Sequence, residues 1–72
     1  MQHHPLSLYV FALYLEDGTK VYNYAATDPP PHVGEFVSVK VHDTLESFEI
    51  LHVQYRTVNG FDVVLLTVKP ST

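Results

Sequence analysis

The sequence predicts an all-β domain of five antiparallel strands that closes into a small barrel or forms a strongly bent sheet. β-branched residues are frequent, with eleven valines and six threonines among 72 residues, and such side chains favour pleated sheets over helices. Two residue pairs, Asp17-Gly18 and Asn59-Gly60, are typical of tight hairpin turns. The length allows one domain, residues 1–72, and an apolar content of 46% excludes a disordered tail.

The first half of the chain contains two predicted strands. Residues 6–15 are apolar and lead into the Asp17-Gly18 turn, so residues 20–26 are expected to return antiparallel to them. Residues 27–34 contain three successive prolines, which lack amide donors and cannot pair within a sheet. We therefore predict a proline-rich loop at residues 27–34 and a flexible N-terminus at residues 1–5.

Three further strands are predicted at residues 35–42, 48–57 and 61–68. The first of these alternates most clearly, because its three valines share one face. Residues 43–47 have the composition of a turn, and Asn59-Gly60 joins the last two strands as a hairpin. Phe48 and Ile50 fall on the polar face of their strand, which indicates a bulge near Ile50 or contact with another surface.

The first and last predicted strands are apolar on both faces, whereas a small barrel has only one interior to fill. We therefore expect a second chain to cover the outer face, and we predict a homodimer. The predicted oligomer interface comprises Phe11, Leu13, Leu15, Val63 and Leu65. The alternative is that strand coiling and the proline-rich loop bury both faces within one chain.

Tyrosines are concentrated in the first predicted hairpin, at Tyr9, Tyr14, Tyr22 and Tyr24. A tyrosine ring combines apolar area with a hydroxyl group that forms hydrogen bonds, so such a group of rings can bind a ligand or a protein partner. We predict these four residues as the ligand-contacting site. The alternative is that they pack in the core or in the dimer.

Histidine is the only abundant residue type suited to metal binding or acid-base catalysis, since the chain has five histidines and no cysteine. His42 and His52 are predicted on consecutive antiparallel strands, where the register could bring them within reach of Asp43 or Glu46 as a partial metal site. Two ligands do not complete a site, so a solvated polar face is the competing interpretation. No catalytic residue is assigned, no phosphate or dinucleotide motif is recognised, and no cofactor is expected.

The net charge of −4 repels phosphate groups, so nucleic-acid binding is disfavoured. A nucleic-acid role would require Lys20, Lys40 and Arg56 to converge in the fold. Residues 6–15 form the most apolar run, but this run is about half as long as a membrane helix. We expect no membrane segment and a cytoplasmic location.

Three segments follow a recurring order. Pro31-His32-Val33-Gly34-Glu35-Phe36-Val37 opens a strand after a long loop, residues 48–53 (FEILHV) form the next strand, and residues 62–66 (DVVLL) lie in the last one. Over about half of the chain this order resembles the SH3-like small barrels, including uncharacterised proteins of bacteria, phages and mobile gene cassettes. The resemblance implies a binding role, because members of the wider fold bind peptides, nucleic acids or partner proteins.

The sequence therefore predicts a binding module that self-associates and has no assigned catalytic chemistry. Two alternatives stay open. One is a metal-binding protein or small enzyme that uses His42 and His52. The other is a nucleic-acid-associated protein of a mobile element.

Overall fold

Five β-strands make up most of the structure. The computed structural model describes residues 8–27 and 29–71, and within them the strands are β1 (Tyr9–Leu15), β2 (Lys20–Ala26), β3 (Phe36–Val41), β4 (Thr44–Val58) and β5 (Phe61–Pro70). The predicted all-β class is confirmed. Within the described ranges, no helix is long and apolar enough to cross a lipid bilayer.

The strands form one sheet in the order β2-β1-β5-β4-β3, which curls into a half-barrel. Three neighbouring pairs are antiparallel, but β1 and β5 are parallel, so the sheet is mixed and not antiparallel throughout as predicted. The direction follows from the chain path, because each connection reverses the chain and an even number of connections separates β1 from β5. These two strands are apolar on both faces, which suits the centre of a sheet.

Two hairpin turns form where the sequence predicts them. Gly18 has a φ of 92°, and the Leu15 N–H donates a hydrogen bond to the Thr19 carbonyl at 2.8 Å, which closes the β1–β2 hairpin. Asn59 and Gly60 have φ values of 51° and 82° between β4 and β5. A two-residue hairpin turn of this kind requires left-handed backbone at both positions, which Asn and Gly adopt readily.

The connection between β3 and β4 is shorter than the sequence predicted. The chain turns at His42 and Asp43, with φ values of 50° and 67°, and β4 already begins at Thr44. Because these two residues complete the turn, most of the segment predicted as a turn at residues 43–47 pairs with β3 instead. β4 therefore reaches 15 residues, and its residues 44–47 lie beyond the part that pairs with β5.

A bulge at Leu51 determines which residues of β4 face the core. Ile50 pairs with Val68 while His52 pairs with Thr67, so Leu51 is the extra residue. Phe48 and Ile50 are consequently buried, although a regular strand would place them on the same face as His52. The bulge that the sequence indicated near Ile50 is therefore confirmed.

The core lies on the concave face of the half-barrel. Its buried side chains are Phe11 and Leu13 of β1, Val39 of β3, Phe48 and Ile50 of β4, and Val64, Leu66 and Val68 of β5. Full burial of a side chain of this size stabilises the fold by about 1.5–3 kcal/mol. Contacts between elements distant in sequence therefore stabilise this small domain.

The register between β1 and β5 corrects part of the predicted oligomer interface. Phe11 pairs with Val64 and Leu13 pairs with Leu66, and all four side chains are at most 1% exposed. Phe11 and Leu13 thus lie in the core of the single chain and are not available to a second chain. The reason is the β1–β5 register, which places these side chains of both strands on the concave face of the half-barrel.

The other three residues predicted for the interface divide between the two faces. Leu15 is partly buried and packs against the core cluster. Val63 and Leu65 alternate with the buried Val64 and therefore lie on the opposite, convex face of the sheet, where they are partly buried. Only Val63 and Leu65 of the predicted interface share an outward face.

We predict that Leu66→Ala lowers the free energy of unfolding by about 2–5 kcal/mol, because it leaves a cavity at a fully buried position. Leu45→Ala is the matched control, since Leu45 is 69% exposed, and it should change stability by less than about 0.5 kcal/mol. Chemical denaturation at one protein concentration measures both values. Equal losses in the two variants would contradict the assignment of the core.

Asp17 makes the β1–β2 turn sensitive to acid. Its Oδ1 atom accepts a hydrogen bond from the Thr19 backbone N–H at 2.9 Å, and this bond lowers the pKa of the Asp17 carboxyl below its ordinary value. A carboxyl pKa that is lower in the folded state stabilises the fold above the unfolded-state pKa. That contribution is lost as the pH falls through the folded-state pKa.

We predict that the wild-type chain loses stability relative to Asp17→Asn as the pH falls from about 6 to about 2, across the range where aspartate titrates. The asparagine keeps an oxygen acceptor for the Thr19 N–H but does not titrate. Denaturation midpoints measured across this range give the difference between the two chains. A difference that stays constant with pH would refute the role of Asp17.

Candidate functional site

Aromatic side chains form a row on the concave side of β1 and β2. The ring centroids of Tyr9 and Phe11 are 5.9 Å apart, those of Phe11 and Tyr24 are 5.1 Å apart, and those of Tyr22 and Tyr24 are 6.0 Å apart. Such spacings are typical of favourable aromatic pairs. The structure therefore brings together Tyr9, Tyr22 and Tyr24, with the buried Phe11 ring between them.

Tyr14 does not belong to this row. It follows the buried Leu13 in β1, and strand alternation therefore places it on the convex face, where it is partly buried. Tyr14 cannot contact the same small ligand as Tyr9 or Tyr24 from the other side of the sheet. The predicted group of four tyrosines is thus corrected to three.

A groove separates the two edge strands, β2 and β3, which approach each other as the sheet curls but are not neighbours in its hydrogen-bonded order. Its volume is about 420 Å3, which lies within the range of ligand pockets. The lining residues are Tyr22, Tyr24, Val37, Ser38, Val39 and Lys40. We call this feature the seam groove. It combines two tyrosine rings with the valines of β3, whereas strand alternation places the Lys40 side chain on the convex side of β3.

The β3 side of the seam groove presents backbone groups that do not bond to β4. The residues that flank a two-residue turn exchange both backbone hydrogen bonds, and such bonded pairs recur at every second residue. The bond from the Ile50 N–H to the Glu35 carbonyl, at 2.8 Å, fits this alternation. The N–H and C=O groups of Ser38 and Lys40 consequently point away from β4, where an extended segment can pair with them.

The convex face of the sheet is apolar along its centre. Its partly buried members are Val10, Tyr14, Val63 and Leu65, and its exposed members at one end are Leu8, Val58 and Phe61. Phe61 pairs with Val58 across the β4–β5 turn, and Leu8 and Phe61 directly precede Tyr9 and Asp62, which are the first register partners of β1 and β5. We call these seven side chains the convex surface.

A smaller depression, which we call the end trough, opens on the concave side near the β4–β5 turn. Its volume is about 300 Å3. Its lining residues are Tyr9, Tyr55, Arg56, Thr57, Asp62 and Val63. Tyr9, Asp62 and Thr57 are register partners across β1, β5 and β4, so their side chains share one face.

The sequence predictions did not include Tyr55, Thr57 or Asp62 as site residues. A usable signal existed, because the Asn59-Gly60 turn fixes the hairpin register and pairs Thr57 with Asp62. No local feature of the sequence predicted that Tyr9 lies beside Thr57 and Asp62. It depends on the parallel pairing of β1 with β5.

His42 and His52 are not brought together. His42 lies in the β3–β4 turn, whereas His52 lies in β4 opposite Thr67 of β5. The extended chain from Thr44 to His52 spans about 26 Å by strand rise. Within residues 8–27 and 29–71, no group of three or more metal-ligating side chains is close enough to hold a metal ion. The geometry therefore gives no support to a shared metal site at His42 and His52.

We predict that His42 and His52 respond to zinc independently. In a chain with His3→Ala and His4→Ala, which lie outside the described residues, the ring resonances of His42 should respond to zinc equally well with or without His52→Ala. A titration followed by NMR measures both responses. Loss of the His42 response in the His52→Ala variant would contradict the separation of the two rings.

Comparison with protein-family models, with curated proteins and with solved structures finds no match for this chain. The resemblance of residues 31–66 to SH3-like barrels therefore stays a prediction.

Proposed function

We propose that this chain is a non-catalytic binding module that self-associates through the convex surface and binds a protein partner in the seam groove. The convex surface is the observation that carries the proposal. Soluble monomers rarely expose a contiguous apolar patch of large side chains, and such patches mark interaction sites. The proposal keeps the cytoplasmic location expected from the sequence.

A second copy of the chain is the occupant that we propose for the convex surface. Although the net charge is −4, acidic residues such as Asp17 and Asp43 lie in turns and Asp62 lies on the concave face. Glu49, at the margin of the surface, is paired with Lys69, whose Nζ is 3.6 Å from Oε1. Lys20 and Arg56 lie at the margins of the convex face, so two copies can meet by its apolar centre in a two-fold contact without opposing unpaired carboxylates.

An extended protein segment is the ligand that we propose for the seam groove. The tyrosine rings offer contact area at a low cost in rotamer entropy, and the outward backbone groups of Ser38 and Lys40 offer hydrogen bonds. The Lys40 ammonium group, on the convex side of β3, favours an acidic side chain on the same face of a bound strand. This combination supports a protein partner better than a small apolar ligand.

The two alternative functions receive less support from the geometry. Lys20 pairs with Tyr14 near the end of β1. Arg56 pairs with Val63, which pairs in turn with Val10 near the start of β1. Val10 and Tyr14 are about 13 Å apart along the strand, so the two cations lie at opposite ends of the sheet. These cations do not form the continuous basic face that a nucleic-acid site needs. A metal protein or small enzyme would require His42 and His52 to share a site, and they do not.

We predict that the wild-type chain is a dimer in solution and that Phe61→Glu and Leu65→Glu are monomers. Each variant places a charge in the proposed apolar interface, where burial without a partner is unfavourable. Phe61 is 62% exposed in the single chain, so its replacement tests association without removing a core contact. Light scattering over a concentration series measures the molecular mass.

The matched control for this experiment is Leu45→Glu. Leu45 is exposed, as Phe61 is, but it lies in the part of β4 that projects beyond β5, away from the convex surface. This variant should remain a dimer. A monomeric wild-type chain at millimolar concentration would overturn the proposed self-association.

A further inference from the structure

We infer that the end trough is a binding site for an organic cation, an alkylammonium or a guanidinium group. The inference goes beyond the proposed function, because the trough shares no residue with the seam groove and only Val63 with the convex surface. Two tyrosines, one threonine and one aspartate line the trough on the concave face. Aromatic faces beside a carboxylate are the combination that recognises such cations.

The width of the end trough suits a single cationic group. Tyr9 and Thr57 lie on the strands that flank Asp62, so their backbones are about 10 Å apart, or two strand spacings. A cation held by Asp62 between them comes within the distance of about 6 Å at which an aromatic ring attracts a cation. Tyr55 lies two residues before Thr57 in β4, so its side chain is on the same concave face. It is 59% exposed, so most of its area is available to a ligand.

The Asp62 carboxylate is available to an external cation. Within the described residues, no hydrogen bond or ion pair of the side chains involves Asp62. Arg56 lines the trough, but strand alternation directs its side chain to the convex face, and it forms no ion pair with Asp62. The Thr57 hydroxyl, opposite Asp62, adds a hydrogen-bonding group beside the carboxylate.

The charge of the whole chain favours the same ligand. A net charge of −4 raises the local concentration of cations and disfavours anions at an exposed carboxylate. A neutral polyol can also stack on tyrosine, but it gains little from the Asp62 charge. The response to removal of that charge therefore distinguishes a cation from a neutral ligand.

Titration of the isotope-labelled chain with n-butylammonium or with methylguanidinium, at constant ionic strength, tests the site. We expect saturable NMR shifts confined to the amides of Tyr9, Tyr55, Thr57 and Asp62. Asp62→Asn should weaken binding by about tenfold, as expected for loss of a charged hydrogen-bond partner. Tyr55→Leu should weaken it by about two- to fivefold, as expected for an exposed cation–π contact.

Asp43→Asn is the matched control, because it removes the same charge at the distant β3–β4 turn, where the φ of 67° suits asparagine. Binding to this variant should equal binding to the wild-type chain. Shifts that do not saturate, or equal weakening in Asp43→Asn and Asp62→Asn, would overturn the inference. If Asp62→Asn does not fold, the comparison of Tyr55→Leu with Asp43→Asn decides the question.

The source of the cation is distinguished by two capped tripeptides, Gly-Lys-Gly and Gly-Arg-Gly. Tighter binding of a tripeptide than of the free ion assigns the trough to a side chain of a protein partner, and equal binding assigns it to a free amine. The molecular mass of Asp62→Asn separates this inference from the proposed function. Loss of cation binding in a chain that still dimerises leaves the self-association intact.

Discussion

The parallel pairing of β1 with β5 is the constraint on which the rest of the structure depends. It places Phe11 beside Val64 and Leu13 beside Leu66, so that one face of each central strand becomes the core. A shift of one residue in this register would exchange the inner and outer faces of the shifted strand. The same pairing leaves β2 and β3 as the edge strands and leaves an apolar face on the convex side.

Incomplete closure of the sheet produces the two concave binding features. The bulge at Leu51 turns Phe48 and Ile50 inward, so the first part of β4 and its partner β3 pack on the same core as β1. The curl brings β2 and β3 together without joining them, which leaves the seam groove between two edges. An unpaired edge strand can pair with a strand of another chain. Such an edge can therefore serve as a binding site, and it can also promote aggregation.

The three surfaces differ in chemistry and in position. The convex surface is apolar, the seam groove combines tyrosines with outward backbone groups, and the end trough combines tyrosines with one carboxylate. All three are built mainly on strands, whose positions are determined by core packing, and this makes their geometry less variable than that of loop sites. The convex surface and the end trough share only Val63, and the seam groove shares no residue with either, so substitutions elsewhere can alter each surface separately.

Local features of the sequence were sufficient to determine the all-β class, the five strands, the Asp17-Gly18 and Asn59-Gly60 turns and the bulge near Ile50, because alternation and turn chemistry act over a few residues. Only the tertiary structure decided that β1 pairs with β5 in parallel, and hence that Phe11 and Leu13 are core residues. The physical reason is that alternation defines the two faces of a strand but does not identify the neighbouring strand. When both faces of a strand are apolar, alternation also does not show which of the two faces the core. The end trough was hidden for the same reason, since it exists only where strands from both ends of the chain meet.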